Sequence, residues 1–346
     1  MNDWLHLVLV TLLTNIGVGA VWASLLLQRR NELGLGRTVI VIIGLGLAPW
    51  SVSWCLNILL LLLPGLPHGA VLGVVLGFFL LLGVLGRHGW KELLEWIKER
   101  PAMLRSTDFM SFLFITAIMA VGALMLLTFK PLADHDILEY GTQGRIFLRD
   151  MAVHYERHHY DPISGFYYVG LHGFSFPLLF TWEGLFGPTT DIWVRSMTPW
   201  YVWLLVALIW STMRSVGPWA PLWTLALMGS TLAFIYMDLI YHVDPLRVFF
   251  FTASMLLFVQ LIQTPSIATA LVLGVLLGAH AHLHSLGMIL GCLMCGVLLV
   301  VNWASIASRI RWVLVAGVPF MLAGGAHYIV DMLYGTGWLL KDITWF

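Results

Sequence analysis

The feature that most constrains this chain is a succession of apolar stretches, each long enough to cross a bilayer. Spanning roughly 30 Å of hydrocarbon takes about 20 apolar residues in an α-helix. Lipid offers no partners to backbone N–H and C=O groups, so such stretches must satisfy them internally. Helices are predicted at 4–28, 38–63, 68–86, 108–129, 198–213, 219–240, 246–263, 267–282, 284–303 and 312–331. The expected fold is therefore an all-α polytopic membrane protein with about ten transmembrane helices. Composition agrees: of 346 residues, 60% are hydrophobic and 10% charged, with a mean hydropathy of +0.88. A soluble domain carries about 25% charged residues. With 18 Lys and Arg against 18 Asp and Glu, there is no basic excess to hold nucleic acid, so that class of partner is excluded. Cys55, Cys292 and Cys295 all lie in apolar runs. The CxxC at 292–295 reads as small packing residues, because two thiols without a second pair make a poor metal site.

Lys and Arg gather in short cytoplasmic loops. Arg29, Arg30 and Arg37 follow the first predicted helix, and Arg87, Lys91, Lys98, Arg100 and Arg105 follow the third. Arg214 follows the fifth, while Arg309 and Arg311 precede the tenth. Counting helices puts all of them on one side. Residues 64–67, the long segment 130–197, the loop 241–245 and the residues after 331 then face outward. The first helix has no basic residues before it and runs into Arg29, so it reads as a retained anchor rather than a cleaved signal. Between the third and fourth helices, GRHGWKELLEWIKERPAMLR interleaves Trp90, Leu93, Leu94, Trp96 and Ile97 with charges, as an inner-leaflet amphipathic helix would. Three additional N-terminal spans and this helix, residues 1–107, precede a core over 108–346.

Polar residues near a bilayer are expensive and tend to mark function. Three clusters fall on the outward side. PLADHDILEYGTQGRIFLRD supplies Asp134, His135, Asp136 and Glu139; IYHVDPLR supplies His242, Asp244 and Arg247; GAHAHLHSLG supplies His280, His282 and His284. Carboxylates and imidazoles from separate loops suit a divalent cation, Mg or Mn, or a general base beside a phosphate. Arg247 suits the phosphate, because a guanidinium matches its oxygens bidentately.

Plainer readings stand beside these. Asp134, His135 and Asp136 also fit a solvated loop start. Asp244 also fits a helix N-cap, with Pro245 in the first turn. His280, His282 and His284 lie two apart and would scatter over about 200° of a regular helix, so they converge only if the helix pair breaks there. Residues 137–152 pattern as a helix on the membrane surface. Tyr167, Tyr168, Phe174 and Trp182 read as an interfacial aromatic belt.

The order of these features resembles the GT-C membrane glycosyltransferases, which use polyprenyl- or dolichyl-phosphate sugars. The resemblance covers roughly 108–346. Family members open a long extracytoplasmic loop containing interfacial helices with an acidic motif such as D-E-x-x-Y. Asp136-Ile-Leu-Glu139-Tyr140 occupies that place, with Ile137 where many members have a second acid and Asp134 nearby. His242-Val-Asp244 occupies the place of a second acidic pair two helices later, and Phe176-Pro177-Leu178-Leu179 looks like the family's aromatic-proline approach to the next core helix. The resemblance implies that Asp136, assisted by Asp134, accepts the proton of an acceptor hydroxyl as it attacks the anomeric carbon with inversion. It further implies that Arg247, with His280, His282 and His284, neutralises the lipid phosphate, and that Asp136, His242 and Asp244 would hold any divalent cation. The implied partners are a polyprenyl-phosphate sugar and a lipid, glycan or protein acceptor. The implied location is a bacterial inner membrane with the site facing the periplasm.

Two other classes remain open. His154-x-x-x-His158-His159 has the spacing of a di-iron oxidase box, but such sites need several matching boxes on the cytoplasmic side. A non-catalytic GT-C-like subunit of a larger membrane complex is consistent with a chain that stops at Phe346, soon after the tenth predicted helix. A transporter would need broken helices in two corresponding halves, and only the 280–284 break is evident.

Overall fold

A computed structural model describes residues 3–103, 135–153, 173–187, 191–217, 219–229, 243–301 and 305–333. Every regular element among the described residues is a helix. Six are long and apolar enough to cross a membrane: α1 (Asp3–Leu27), α3 (Arg37–Leu62), α4 (His68–Leu85), α8 (Ile192–Met213), α10 (Asp244–Gln263) and α13 (Ile306–Leu333). Two shorter apolar helices, α11 (Ile267–Leu283) and α12 (Ser285–Val300), lie between the last two. The remaining elements are α2 (Arg30–Leu33), α5 (Arg87–Met103), α6 (His135–Asp150), α7 (Ser175–Gly184) and α9 (Ala220–Gly229). This is an all-α integral membrane protein. The span expected at 108–129 and most of that at 219–240 lie outside the described residues.

Helix α3 is the centre of the molecule, largely buried along its length. Its glycines let neighbours approach at backbone distance, the usual device where lipid provides no hydrophobic drive between helices. A Cβ on Gly44 would sit 2.6 Å from the Ala23 nitrogen of α1. On the far side of the bundle a Cβ on Gly274 of α11 would sit 2.1 Å from the Ala316 carbonyl oxygen of α13. Hydrogen bonds tie α3 to later helices: Ser53 shares one with Ser175 at 2.7 Å, and Tyr201 Oη donates to the Gly46 carbonyl at 2.6 Å. One continuous apolar core thus runs through α1 and α3 and through α7, α8, α10 and α11. Helix α4, by contrast, has almost all its surface outward, where hydrocarbon would cover it.

The two ends of the bundle differ in charge. At one end Arg37 of α3 binds Glu92 at 2.9 Å and Glu99 at 2.7 Å, and Arg30 reaches Glu92 at 3.6 Å. Trp96 Nε1 donates to Thr38 Oγ1 at 3.2 Å, and Trp90 Nε1 to the Gly83 carbonyl at 2.9 Å. These contacts lay the amphipathic helix α5 across the ends of α1, α3 and α4. The start of α11 arrives at the same end, where Thr269 Oγ1 donates to the Glu32 carbonyl at 3.3 Å. At the opposite end lie α6, α7, the start of α10 and the turn between α11 and α12.

Helix α6 covers the stretch expected as a membrane-surface helix. Its aromatic face rests on α7: Tyr140 meets Phe176 at 5.4 Å, and Phe147 meets Phe174 at 5.1 Å, both edge to face. Phe147 lies over Phe174 and Gly141 over Phe180, so the two helices run antiparallel. The belt reading of Phe174 and Trp182 is corrected, because both are fully buried. Trp182 Nε1 donates to Thr14 Oγ1 at 2.8 Å. Thr14 belongs to a π-helical stretch of α1, Thr11–Val18, and both Thr14 and Asn15 are buried there. Such π-turns insert a residue into a helix and re-aim side chains. Tyr167 and Tyr168 lie outside the described residues.

Candidate functional site

Where α10 and α12 descend side by side from the outer end, they enclose a groove of about 560 Å³. From α10 come Asp244, Arg247, Val248 and Phe251; from α12 come Leu286, Ile289, Leu290 and Leu293; α11 contributes His280. Both helices use positions i, i+3, i+4 and i+7, which form one stripe of a helix. The polar residues sit at the top of the groove and the apolar ones below. Phe251, Leu286, Ile289 and Leu293 are 43%, 50%, 44% and 62% exposed, so the groove opens sideways toward lipid.

Local structure fixes the polar end. Helix α10 begins at Asp244 with Pro245 in its first turn, and Val243 takes the cap position without a side-chain bond. Asp244 is thus a first-turn acid, not the N-cap, and Arg247 Nη1 donates to its Oδ1 one turn on. His280 is only 5% exposed, and its Nδ1 has no hydrogen-bond partner. A buried polar atom without a partner is costly and calls for an explanation, such as a ligand that completes it. Arg247 and His280 both line the mouth of this apolar cleft, with Nδ1 of His280 itself buried.

The chain does break between α11 and α12, at His284, whose backbone is extended (φ −161°, ψ 147°). The break separates the three histidines rather than gathering them. His280 lines the groove. His284 caps α12, its Nδ1 accepting the Leu286 N–H at 3.1 Å. His282 points to the far side of α11, where it is 1% exposed and neither ring nitrogen has a hydrogen-bond partner. There it stands 6.1 Å, centroid to centroid, from the ring of His327. His327 Nε2 lies 3.3 Å from Asp331 Oδ2, one turn along α13, and its ring abuts Phe174 at 4.8 Å. A Cβ at Gly173 would sit 1.9 Å from the His282 carbonyl oxygen, so no other residue fits there without displacing α11.

Of the remaining expected site residues, Asp136 falls in the first turn of α6; its side chain, Asp134 and His242 lie outside the described residues. Among the described residues no group of three or more His, Cys, Asp or Glu is placed to hold a metal. His154, His158 and His159 also lie outside them.

Sequence reasoning missed a second polar centre. Glu183 of α7 is fully buried, and its carboxylate accepts the N–H groups of Trp193 and Val194, each at 3.1 Å, in the first turn of α8. Helix N-termini leave such donors without intrahelical partners and favour negative charge. His6 Nε2 approaches Glu183 Oε1 at 3.5 Å, and Trp193 Nε1 donates to Asn15 Oδ1 at 3.2 Å. Arg145 of α6 pairs with Asp191, which holds a left-handed backbone (φ 56°) just before α8. Burial pushes the Glu183 carboxyl up to about 7, against the two backbone N–H bonds that lower it. Burial also raises Asp191, opposed by Arg145. The signal was present as an acid inside the apolar run FPLLFTWEGLF, and as His327 and Asp331 four apart in the last predicted helix.

Comparison with protein-family models, curated proteins and solved structures gives no match to this chain.

Proposed function

We propose that this integral membrane protein is a glycosyltransferase of the GT-C type, which moves a sugar from a polyprenyl-phosphate donor to a lipid, glycan or protein acceptor. The observation that carries the reading is the groove between α10 and α12. Arg247 and His280 sit at its outer end, and its apolar walls continue toward lipid. An amphiphile with a phosphate head and a long hydrocarbon tail has the matching layout. The groove stripe from Asp244 to Phe251 extends about 10 Å along the helix axis, enough for a headgroup and the first isoprene units.

In this reading Arg247 and His280 hold the phosphate and neutralise the charge that grows on it as the glycosidic bond breaks, a term enzymes exploit most where water is excluded. Asp136, at the start of α6, is the base that takes the acceptor proton, with Asp134 beside it, in one inverting displacement. A divalent cation, Mg or Mn, at Asp136, His242 and Asp244 remains part of the proposal. Asp244 itself is already engaged by Arg247, so no step here is routed through a metal. The basic end, with α5 laid across it, is the cytoplasmic side by the positive-inside rule, and the groove then opens toward the exterior of the cell, the periplasm in a bacterial inner membrane.

The test uses the full chain in lipid nanodiscs. Native mass spectrometry should register a C55 polyprenyl phosphate and not the uncharged C55 polyprenol, and Arg247→Ala should weaken that binding about tenfold or more. Given a panel of polyprenyl-phosphate sugars, Asp136→Asn should lower transfer by about 10² to 10⁴, the usual contribution of a general base. Equal binding of alcohol and phosphate, or full transfer by Asp136→Asn, would overturn the assignment.

A further inference from the structure

Arg247 meets its groove already paired. Its guanidinium donates to Asp244, both side chains line the cleft, and they are 21% and 32% exposed. Beside them His280 keeps a buried Nδ1 without a partner. A site built only to attract anions would not place a carboxylate against its own arginine. An incoming phosphate must either displace Asp244 from Arg247 or settle next to it, and the second arrangement brings two negative charges together in a cleft with apolar walls, where their repulsion is poorly screened.

We propose that Asp244 is a built-in competing anion: it occupies Arg247 in the resting protein, is displaced by the headgroup, and sets the site's preference for headgroups of low charge. The inference rests on the lipid-phosphate reading of the groove. A phosphodiester, as in a sugar-linked lipid phosphate, carries one negative charge. A phosphomonoester carries about −1.5 to −2 at neutral pH. Asp244 therefore opposes the monoester more than the diester. In a transfer reaction the diester is the substrate and the monoester the product, so the same carboxylate that weakens binding also speeds clearance of the groove after each turnover.

The experiment measures affinities of the full chain in nanodiscs for C55 polyprenyl phosphate and for its monomethyl ester, a diester of the same tail. The variants are Asp244→Asn, Asp244→Ala and Arg247→Ala. Exposed or half-exposed ion pairs are worth up to about 1 kcal/mol, or about fivefold. Both Asp244 variants should thus bind the monoester about three- to tenfold tighter and the methyl ester less than threefold tighter, narrowing the gap between the two lipids. Arg247→Ala should weaken both. If the Asp244 variants bind equally well or more weakly while Arg247→Ala loses affinity, Asp244 is no competitor and the inference fails while the lipid-phosphate reading stands. If Arg247→Ala binds both lipids as the natural protein does, the reading of the groove fails and takes the inference with it.

Discussion

The groove between α10 and α12 and the centre around Glu183 use the same chemistry to different ends. Each brings a carboxylate, an imidazole and an arginine together from more than one helix. At Glu183 both carboxylate oxygens are taken by backbone N–H groups of α8, and the surrounding Thr14, Asn15, Trp182 and Trp193 bond one another across three helices. Buried atoms without a hydrogen-bond partner occur in both, His6 Nε2 and Asn15 Nδ2 beside Glu183 and His280 Nδ1 at the groove; the groove differs in opening at the side of the bundle. The lesson is that residue type does not separate a joint from a binding site. Where a carboxylate is held by backbone N–H groups inside the bundle it ties helices together; where polar side chains line a cleft open at the side of the bundle, there is room for a ligand.

The comparison breaks first at Glu183. Glu183→Ala removes both acceptors of the α8 N-terminus and strands His6, and should cost about 3 kcal/mol or more, the penalty typical of unpartnering buried charged groups. A drop in melting temperature in detergent, with unchanged polyprenyl-phosphate affinity in the fraction that stays folded, is the expected outcome. A stable variant with damaged lipid binding would erase the distinction between the two regions.

Next comes Arg247→Ala, which should reverse that pattern: about a tenfold loss in lipid-phosphate affinity, equivalent to about 1.4 kcal/mol, with a melting temperature within about a degree of the parent. The third test is pH. The folded carboxyl of Glu183 is raised to about 7 from an ordinary 4.5, so the folded state holds the proton more tightly than the unfolded one. Its contribution is greatest below about 4.5 and is lost as pH rises through about 7. Unfolding in detergent should therefore show stability falling between about pH 4.5 and 7, and Glu183→Gln should flatten that slope. The smallest effect is expected of His284→Ala, which deletes the cap of α12 and should cost about 0.5 to 1 kcal/mol, read as a small shift in the same melt and no change in lipid affinity.

Much of the architecture was legible because hydrocarbon tolerates few solutions. The helices expected at 4–28, 38–63, 68–86 and 246–263 meet α1, α3, α4 and α10 within two residues at either end. The site was legible in part. Arg247, His280, His282 and His284 were expected as phosphate partners; Arg247 and His280 line one groove, while His282 and His284 lie elsewhere, and the role of the first two is left to experiment. The stripe of i, i+3, i+4 and i+7 positions on α10 and α12 was also in the sequence, but in a helix that is apolar all round it stands out only once the neighbours are known.

The sequence by itself determined that this chain is helical and membrane-embedded, and it predicted that its basic loops share one end and its polar clusters the other. Those conclusions need only the cost of placing charge and unpaired backbone in lipid, which acts on each stretch locally. Tertiary structure alone decided which way each polar side chain faces. Residues two apart on one turn, His280 and His282, went to opposite sides of α11, one to the groove and one to the interior beside His327. It also turned Phe174 and Trp182 from an expected belt into core, and made Glu183 the joint between α7 and α8. The physical reason is that in a bundle where nearly every face is apolar, hydropathy no longer marks inside from outside, and the choice passes to close backbone approach at glycine and to the pairing of individual polar atoms.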